Sequence, residues 1–289
     1  MTKRFFRVDY LSFIYFFIVG SLIFIFREKV RFWQYYLLAY FFYLSFILIL
    51  SFLNFKYPEN NLIKFLRFFY PIITFTFVYK SIEGYVLILH NNFLDKFILI
   101  IEEKIFGKNP VFFLEEIVSK GLTEFLKFSY FSYYLYVPVP ALILFFKKRF
   151  KELEHFVFWI TITFYFCYIC FVLFPIQGPW YELKEFFRIK ELDGYIFTKV
   201  QDFIMANGAV RGACMPSSHL AVAWLSLLMI RKFFGNKIFF VILPFTISMS
   251  VSIVYNRYHY FSDAIAGIIV GFIFYRISEI ENKKVESKF

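Results

Sequence analysis

Runs of apolar residues long enough to cross a membrane recur along the whole chain, and no other feature limits its fold so tightly. A hydrocarbon core about 30 Å thick is crossed by about 20 residues of helix, and a helix pairs its own backbone polar groups where water is absent. Such runs read as roughly 11–26, 32–53, 63–79, 122–146, 156–174, 218–234, 238–255 and 261–277. The expected fold is all-α, a polytopic membrane helix bundle of about eight transmembrane helices. Composition agrees, with 60% hydrophobic residues and a mean hydropathy of +0.63 against roughly 45–50% apolar content in soluble domains. A chain of 289 residues built this way leaves no room for a second, soluble domain.

Charge sets the expected orientation. The net charge of +11 does not form a basic stripe on a polar fold, so nucleic acid is not an expected partner. Lysines and arginines instead cluster beside the apolar runs, where they determine topology. Lys3, Arg4 and Arg7 open the chain; Lys56, Lys64 and Arg67, then Lys147, Lys148, Arg149 and Lys151, then Arg231, Lys232 and Lys237, and finally Lys283, Lys284 and Lys288 follow. Eight spans put all of them on one side, which the positive-inside rule makes cytoplasmic, together with both termini. Arg27, Lys29 and Arg31 fall outside, against the rule. Arg27-Glu28-Lys29 stands where a signal peptide would carry its small-residue cleavage site, so the first run reads as an uncleaved span. The three cysteines imply no disulfide framework. Cys167 and Cys170, although spaced C-x-x-C, lie mid-span as small apolar residues.

Two outward segments are long. In 84–121, residues 93–104 are apolar but too interrupted to span. A short helix follows, with Asn109 as N-cap, Pro110 at its first position and Gly121 past its end. Both are expected as interfacial helices, about 91–121. The second segment, 175–217, is mixed in charge. Ser129, Ser132, Tyr133 and Tyr136 give the fourth span a polar face that turns away from lipid, with Pro138 and Pro140 bending it. Gly267 and Gly271 permit close helix contact in the last span. His90 and His155 read as interfacial bystanders.

The dense chemistry lies in 211–263. Arg211-Gly212-Ala213-Cys214-Met215-Pro216-Ser217-Ser218-His219 precedes one apolar hairpin and Asn256-Arg257-Tyr258-His259-Tyr260-Phe261-Ser262-Asp263 ends it, so antiparallel helices bring both to one bilayer surface. Ser217, Ser218 and His219 fall in a first helical turn, where free backbone N–H groups favour an anion such as phosphate. His259 and Asp263, four apart, share a helix face. The carboxylate accepts from one ring nitrogen and leaves the other free to attack. One histidine then serves as neutral nucleophile backed by Asp263 and the other as protonated acid for the departing alkoxide. Arg211 and Arg257 are the expected cations for the phosphoryl oxygens, with Lys80, Lys184 and Arg188 in reserve. No metal-ligand cluster is visible in the sequence, so neither metal nor other cofactor is expected.

The stretches 211–219 and 257–263 resemble the second and third signature motifs of the type 2 phosphatidic acid phosphatase superfamily, and Phe174 to Trp180 falls where that family has its first. The resemblance implies a six-helix catalytic core and a metal-free phosphohistidine mechanism with His259 as nucleophile, His219 as acid and Asp263 as orienting carboxylate. Tyr70-Pro71, Leu122-Thr123-Glu124-Phe125 and Tyr130-Phe131-Ser132-Tyr133-Tyr134 are similar to the inositolphosphorylceramide-synthase-like branch. The chain departs from the family in carrying Ser218 for a glycine, in lacking the lysine and arginine of the first motif, and in having Ile253 where an arginine is expected; Arg257 resembles a variant of that arginine. The implied organisation is two N-terminal transmembrane helices over 1–62 and a catalytic membrane domain over 63–289.

Three functions fit. A lipid-phosphate phosphatase would resolve the phosphohistidine with water; a phosphotransferase would pass a phosphoryl-containing head group to a lipid or sugar hydroxyl; a non-catalytic scaffold or transporter would have no need of His219, His259 and Asp263 together. The expected partners are a lipid phosphate and the bilayer, and the expected place is the cell membrane with the site on its non-cytoplasmic face.

Overall fold

The computed structural model describes residues 4–286. The helices are α1 (Arg7–Ile25), α2 (Trp33–Lys56), α3 (Asn61–Ser81), α4 (Asp95–Phe106), α5 (Pro110–Glu115), α6 (Lys120–Ser132), α7 (Pro138–Phe146), α8 (Phe150–Leu173), α9 (Pro179–Glu182), α10 (Ile196–Gly208), α11 (Ser218–Phe234), α12 (Asn236–Tyr255) and α13 (Phe261–Glu286). Among the described residues there is no strand, only an isolated bridge between Ile176 and Ala213. The chain is a polytopic helical bundle, and seven stretches are long and apolar enough to cross a membrane.

The expected eighth span, α11, has 17 residues, about 26 Å at 1.5 Å per residue. It sits at the centre rather than the lipid-facing rim. Ala221, Val222, Ala223, Leu225, Leu227, Met229 and Ile230 are buried on all its sides, the pattern of a helix surrounded by others, and α8, α12 and α13 pack around it. Gly267 and Gly271 set how closely α13 can approach. A Cβ at Gly267 would lie 2.4 Å from the Ser217 carbonyl oxygen, and one at Gly271 would lie 2.6 Å from that of Ala221. The expected small-residue contact is therefore between α13 and the first turns of α11.

The fourth span is broken, as its prolines require. A 3₁₀ turn over Tyr133–Leu135 separates α6 from α7, and Pro138 becomes the first residue of α7, where its missing N–H costs no hydrogen bond. Of its polar face, Ser129, Tyr133 and Tyr136 are buried and Ser132 is half-buried, and the Tyr136 hydroxyl lies 3.0 Å from the Thr246 hydroxyl on α12. The two N-terminal spans join the same core: α1 packs on α8, where Ser12 meets the Tyr165 hydroxyl at 3.3 Å, and α2 packs on α3.

Three ion pairs lie at the end of the bundle away from the histidine motifs, linking Arg7 to Glu281 at 2.6 Å, Arg149 to Glu152 at 2.5 Å and Lys232 to Glu279 at 2.5 Å. Arg67, read from the sequence as a topology-setting charge, is fully buried instead. It grips Asp9 of α1 through both guanidinium ends, and Tyr70 donates to the same carboxylate at 2.6 Å. A charge taken out of water must be paired, so Arg67 clamps α3 to α1. Lys3 and Lys288 of the basic clusters lie outside the described residues, as do the side chains of Lys283 and Lys284.

Candidate active site

The close contact of α13 with α11 brings the two histidine motifs together. Ser217 caps α11, its hydroxyl accepting from the Leu220 amide at 3.4 Å, while its own amide donates to the Asp263 carbonyl at 3.1 Å. The amides of Ser218 and His219 then face outward from the first turn, beyond reach of any intrahelical carbonyl. Ser218 itself is buried.

His259 sits just before α13, its Nε2 3.3 Å from the Ser217 hydroxyl and its Nδ1 3.6 Å from Asp263 Oδ2. The second distance is longer than a hydrogen bond, although the pair shares one side of the turn as its spacing requires. Asp263 is fixed by the Tyr260 amide, which donates to its Oδ2 at 3.0 Å. His219 lies with its ring centroid 6.2 Å from that of His259. Tyr133, Tyr130 and Tyr79 enclose it, with ring centroids at 5.1, 5.5 and 6.4 Å. The trio of His219, His259 and Asp263 and the two serines are thus one cluster.

The two arginines part company. Arg211 is on the rim, its guanidinium over the rings of Phe93 and Tyr181 at 4.9 and 5.4 Å. Its Nε donates to Gln177 Oε1 at 2.6 Å, the one hydrogen bond it makes among the described residues. Lys80 stands nearby, donating to the carbonyl of Ala209 at 3.1 Å and pairing with Glu83 at 2.8 Å. Arg257, expected at the phosphate, points elsewhere. It is 2% exposed, bonds Glu115 at 3.1 Å and the Ile189 carbonyl at 2.6 Å, and lies 3.8 Å over the Phe187 ring. With its donors committed to α5 and the 175–217 segment, it is a brace for that segment. The reserve cation Arg188 is 73% exposed and also faces Glu115 and Glu116, and Lys184 lies in a short 3₁₀ turn of the same loop. His90 donates to or accepts nothing in the cluster; its Nε2 is 2.9 Å from the Leu173 carbonyl, and His155 meets Asn282 at the far end.

Buried carboxylates of α4 hold the loops of the site together, which sequence reasoning missed. Asp95 of α4 accepts from the amides of Gln177 and Gly178, both at 2.9 Å, and from the Tyr260 hydroxyl at 3.1 Å. Glu102, two turns along the same face, accepts from the amide and hydroxyl of Ser262 at 2.7 Å and from Asn109 at 2.7 Å. Glu124 of α6 caps α10 through the amides of Tyr195, Phe197 and Thr198. Burial pushes the Asp95 and Glu102 carboxyls above their ordinary range, and the hydrogen bonds they accept pull them partly back. The spacing of seven between Asp95 and Glu102, which puts both on one helix face, was the available signal.

The first-motif loop closes the arrangement. The amide of Cys214 donates to the Ile176 carbonyl at 3.2 Å and that of Trp180 to the Arg257 carbonyl at 2.9 Å. Gly178, at φ +92°, has no room for a side chain, because a Cβ would lie 2.8 Å from Cys214 Sγ and 3.0 Å from the Tyr258 carbonyl. The fold also brings ligating atoms of Cys214, His259 and Asp263 within 4.8 Å of one another. Cys214 belongs to one of the two stretches that the sequence brings to one surface and His259 to the other.

The family model of the PAP2 superfamily matches residues 111–277, more than half of the chain and all of the histidine motifs. No curated protein and no solved structure matches it. The chain belongs to the PAP2 superfamily, and with its apolar helices it is an integral membrane protein of the phosphatase or phosphotransferase type. The match names the superfamily and no branch within it. Asp95 and Glu102 stand outside the matched segment.

Proposed function

We propose that the protein is a lipid-phosphate phosphatase that hydrolyses a phosphate ester or pyrophosphate of a lipid through a phosphohistidine on His259. The observation that carries this reading is the placement of the His259 ring, with Nδ1 toward Asp263 and Nε2 toward Ser217 at the start of α11. A proton on Nδ1 leaves the Nε2 lone pair facing the helix N-terminus, where a phosphoryl group would be held by the Ser218 and His219 amides and the Ser217 hydroxyl. Nε2 attacks phosphorus and the bond to the leaving oxygen breaks. His219 donates the proton that this oxygen needs, and the same histidine then takes a proton from the attacking water. Arg211 offers its exposed guanidinium to the phosphoryl oxygens from the rim. By the charge pattern, the site faces the non-cytoplasmic side of the cell membrane, with both termini cytoplasmic.

One observation favours the phosphotransferase as a second reading. Gln201 of α10 is fully buried with both amide atoms unpartnered, and the buried Tyr258 hydroxyl is unpartnered too. The Tyr258 ring is 5.3 Å from Tyr130, which borders His219. Buried polar groups without partners are costly, and a hydroxyl-rich acceptor would satisfy them. The deciding experiment incubates purified protein with lipid phosphates and phosphodiesters, with and without lipid alcohols or polyols. Free phosphate without an acceptor supports the phosphatase, and a new lipid formed only with an acceptor replaces it by the transferase. Neither product from any substrate in the panel, with folded protein, would overturn both. Turnover is expected to survive EDTA, because the proposed steps use protein groups alone.

A further inference from the structure

Beside the nucleophile, three side chains converge that no step of the proposed reaction uses together. Cys214 is 6% exposed, His259 4% and Asp263 0%, and one ligating atom of each lies within 4.8 Å of the other two. Two of these groups carry orphaned atoms: His259 Nδ1 and Asp263 Oδ1 are buried without a hydrogen-bond partner. The third, the Cys214 thiol, makes only a weak contact with the Tyr258 carbonyl at 3.4 Å. Gly178 packs its backbone closely against Cys214 Sγ, where a Cβ would lie 2.8 Å away.

We infer that Cys214, His259 and Asp263 form an inhibitory site for a thiophilic divalent cation of the zinc class. Thiolate, imidazole and carboxylate are the donor types zinc takes, and three protein ligands leave the fourth tetrahedral position open to water. Zinc bonds of about 2.0–2.3 Å set ligand atoms roughly 3.3–3.8 Å apart, close to the 3.6 Å between His259 Nδ1 and Asp263 Oδ2. Magnesium and calcium, which prefer oxygen ligands throughout, are excluded by the sulfur.

The consequence for catalysis follows from the proton count and rests on the role proposed for His259. Zinc bound at Nδ1 displaces the proton there, and the neutral ring carries it on Nε2 instead. The thiol loses its proton to solvent, so one proton is released per ion bound. Nε2, the nitrogen facing Ser217, then has no lone pair for phosphorus. Asp263 is also drawn from the ring to the metal.

The test uses the purified full chain, stripped with EDTA and desalted, then titrated with zinc alone and, separately, with cobalt as a coloured substitute. The site predicts one zinc per chain, a thiolate-to-cobalt charge-transfer band, and loss of activity on zinc addition that EDTA reverses. Cys214→Ala and Cys214→Ser should bind zinc at least tenfold more weakly, lose the band and keep turning over in zinc. A Cys167→Ala/Cys170→Ala variant should keep the band. An unchanged band or affinity in both folded Cys214 variants would overturn the site. Binding through Cys214 with full activity in saturating zinc would leave the site standing and refute His259 as the nucleophile.

Discussion

Arg257 and Glu115 test whether the 175–217 segment is braced as described. Both side chains are 3% exposed and bond at 3.1 Å; the guanidinium also holds the Ile189 carbonyl, and the Glu115 carboxylate accepts from the Ile189 amide at 2.8 Å. Arg257→Met keeps an apolar stem over Phe187 and removes the charge, leaving the Glu115 carboxylate buried with its main partner gone. Breaking a buried pair from one side costs about 3–5 kcal/mol. The positive φ of 64° at this position burdens arginine and methionine alike and cancels. Glu115→Gln should cost a similar amount, and the double variant should recover part of the loss, because it leaves no unpaired charge buried. Thermal unfolding of detergent-solubilised protein, run as a double-mutant cycle, measures the coupling. A fully stable Arg257→Met whose KM alone rises at least tenfold would refute the brace and return Arg257 to the phosphate.

Arg211→Gln should lower kcat/KM by about 10–100-fold, the equivalent of one charge-assisted hydrogen bond of about 1.5–3 kcal/mol, with little change in melting temperature; steady-state kinetics check it. Gly267→Ala should destabilise by about 1–3 kcal/mol, as overpacking does, and reduce activity as well, because the added methyl meets the carbonyl of Ser217; melting and turnover read both effects. Asp95→Asn should weaken the hold on Gln177 and Gly178 by about 1–3 kcal/mol. Because burial raises the Asp95 carboxyl in the folded protein, its titration adds stability at low pH that is lost as pH rises through the raised value. The stability margin of wild type over Asp95→Asn should therefore narrow as pH climbs through that range, and melting curves across pH would show it.

The sequence displayed the membrane fold through its apolar runs, and the histidine pocket through two motifs that end one hairpin. Run length alone could not tell a rim helix from a central one, so α11 read as an ordinary span. Arg67 read as a topology-setting charge and Arg257 as a phosphate cation because neither shows its partner locally: Asp9 and Glu115 are 58 and 142 residues away. Asp95 and Glu102 sat in plain view on α4, but nothing local to α4 says that its buried face holds the loops of the first and third motifs.

The most direct test of the phosphohistidine is to find it. Purified protein is mixed with radiolabelled lipid phosphate, quenched in alkali, where phosphohistidine survives, and digested for mass spectrometry. The proposed mechanism predicts an acid-labile phosphoryl group on His259, made at a substantially lower rate in Asp263→Asn and absent from His259→Ala along with turnover. Label on another residue, or full turnover by His259→Ala, would contradict it.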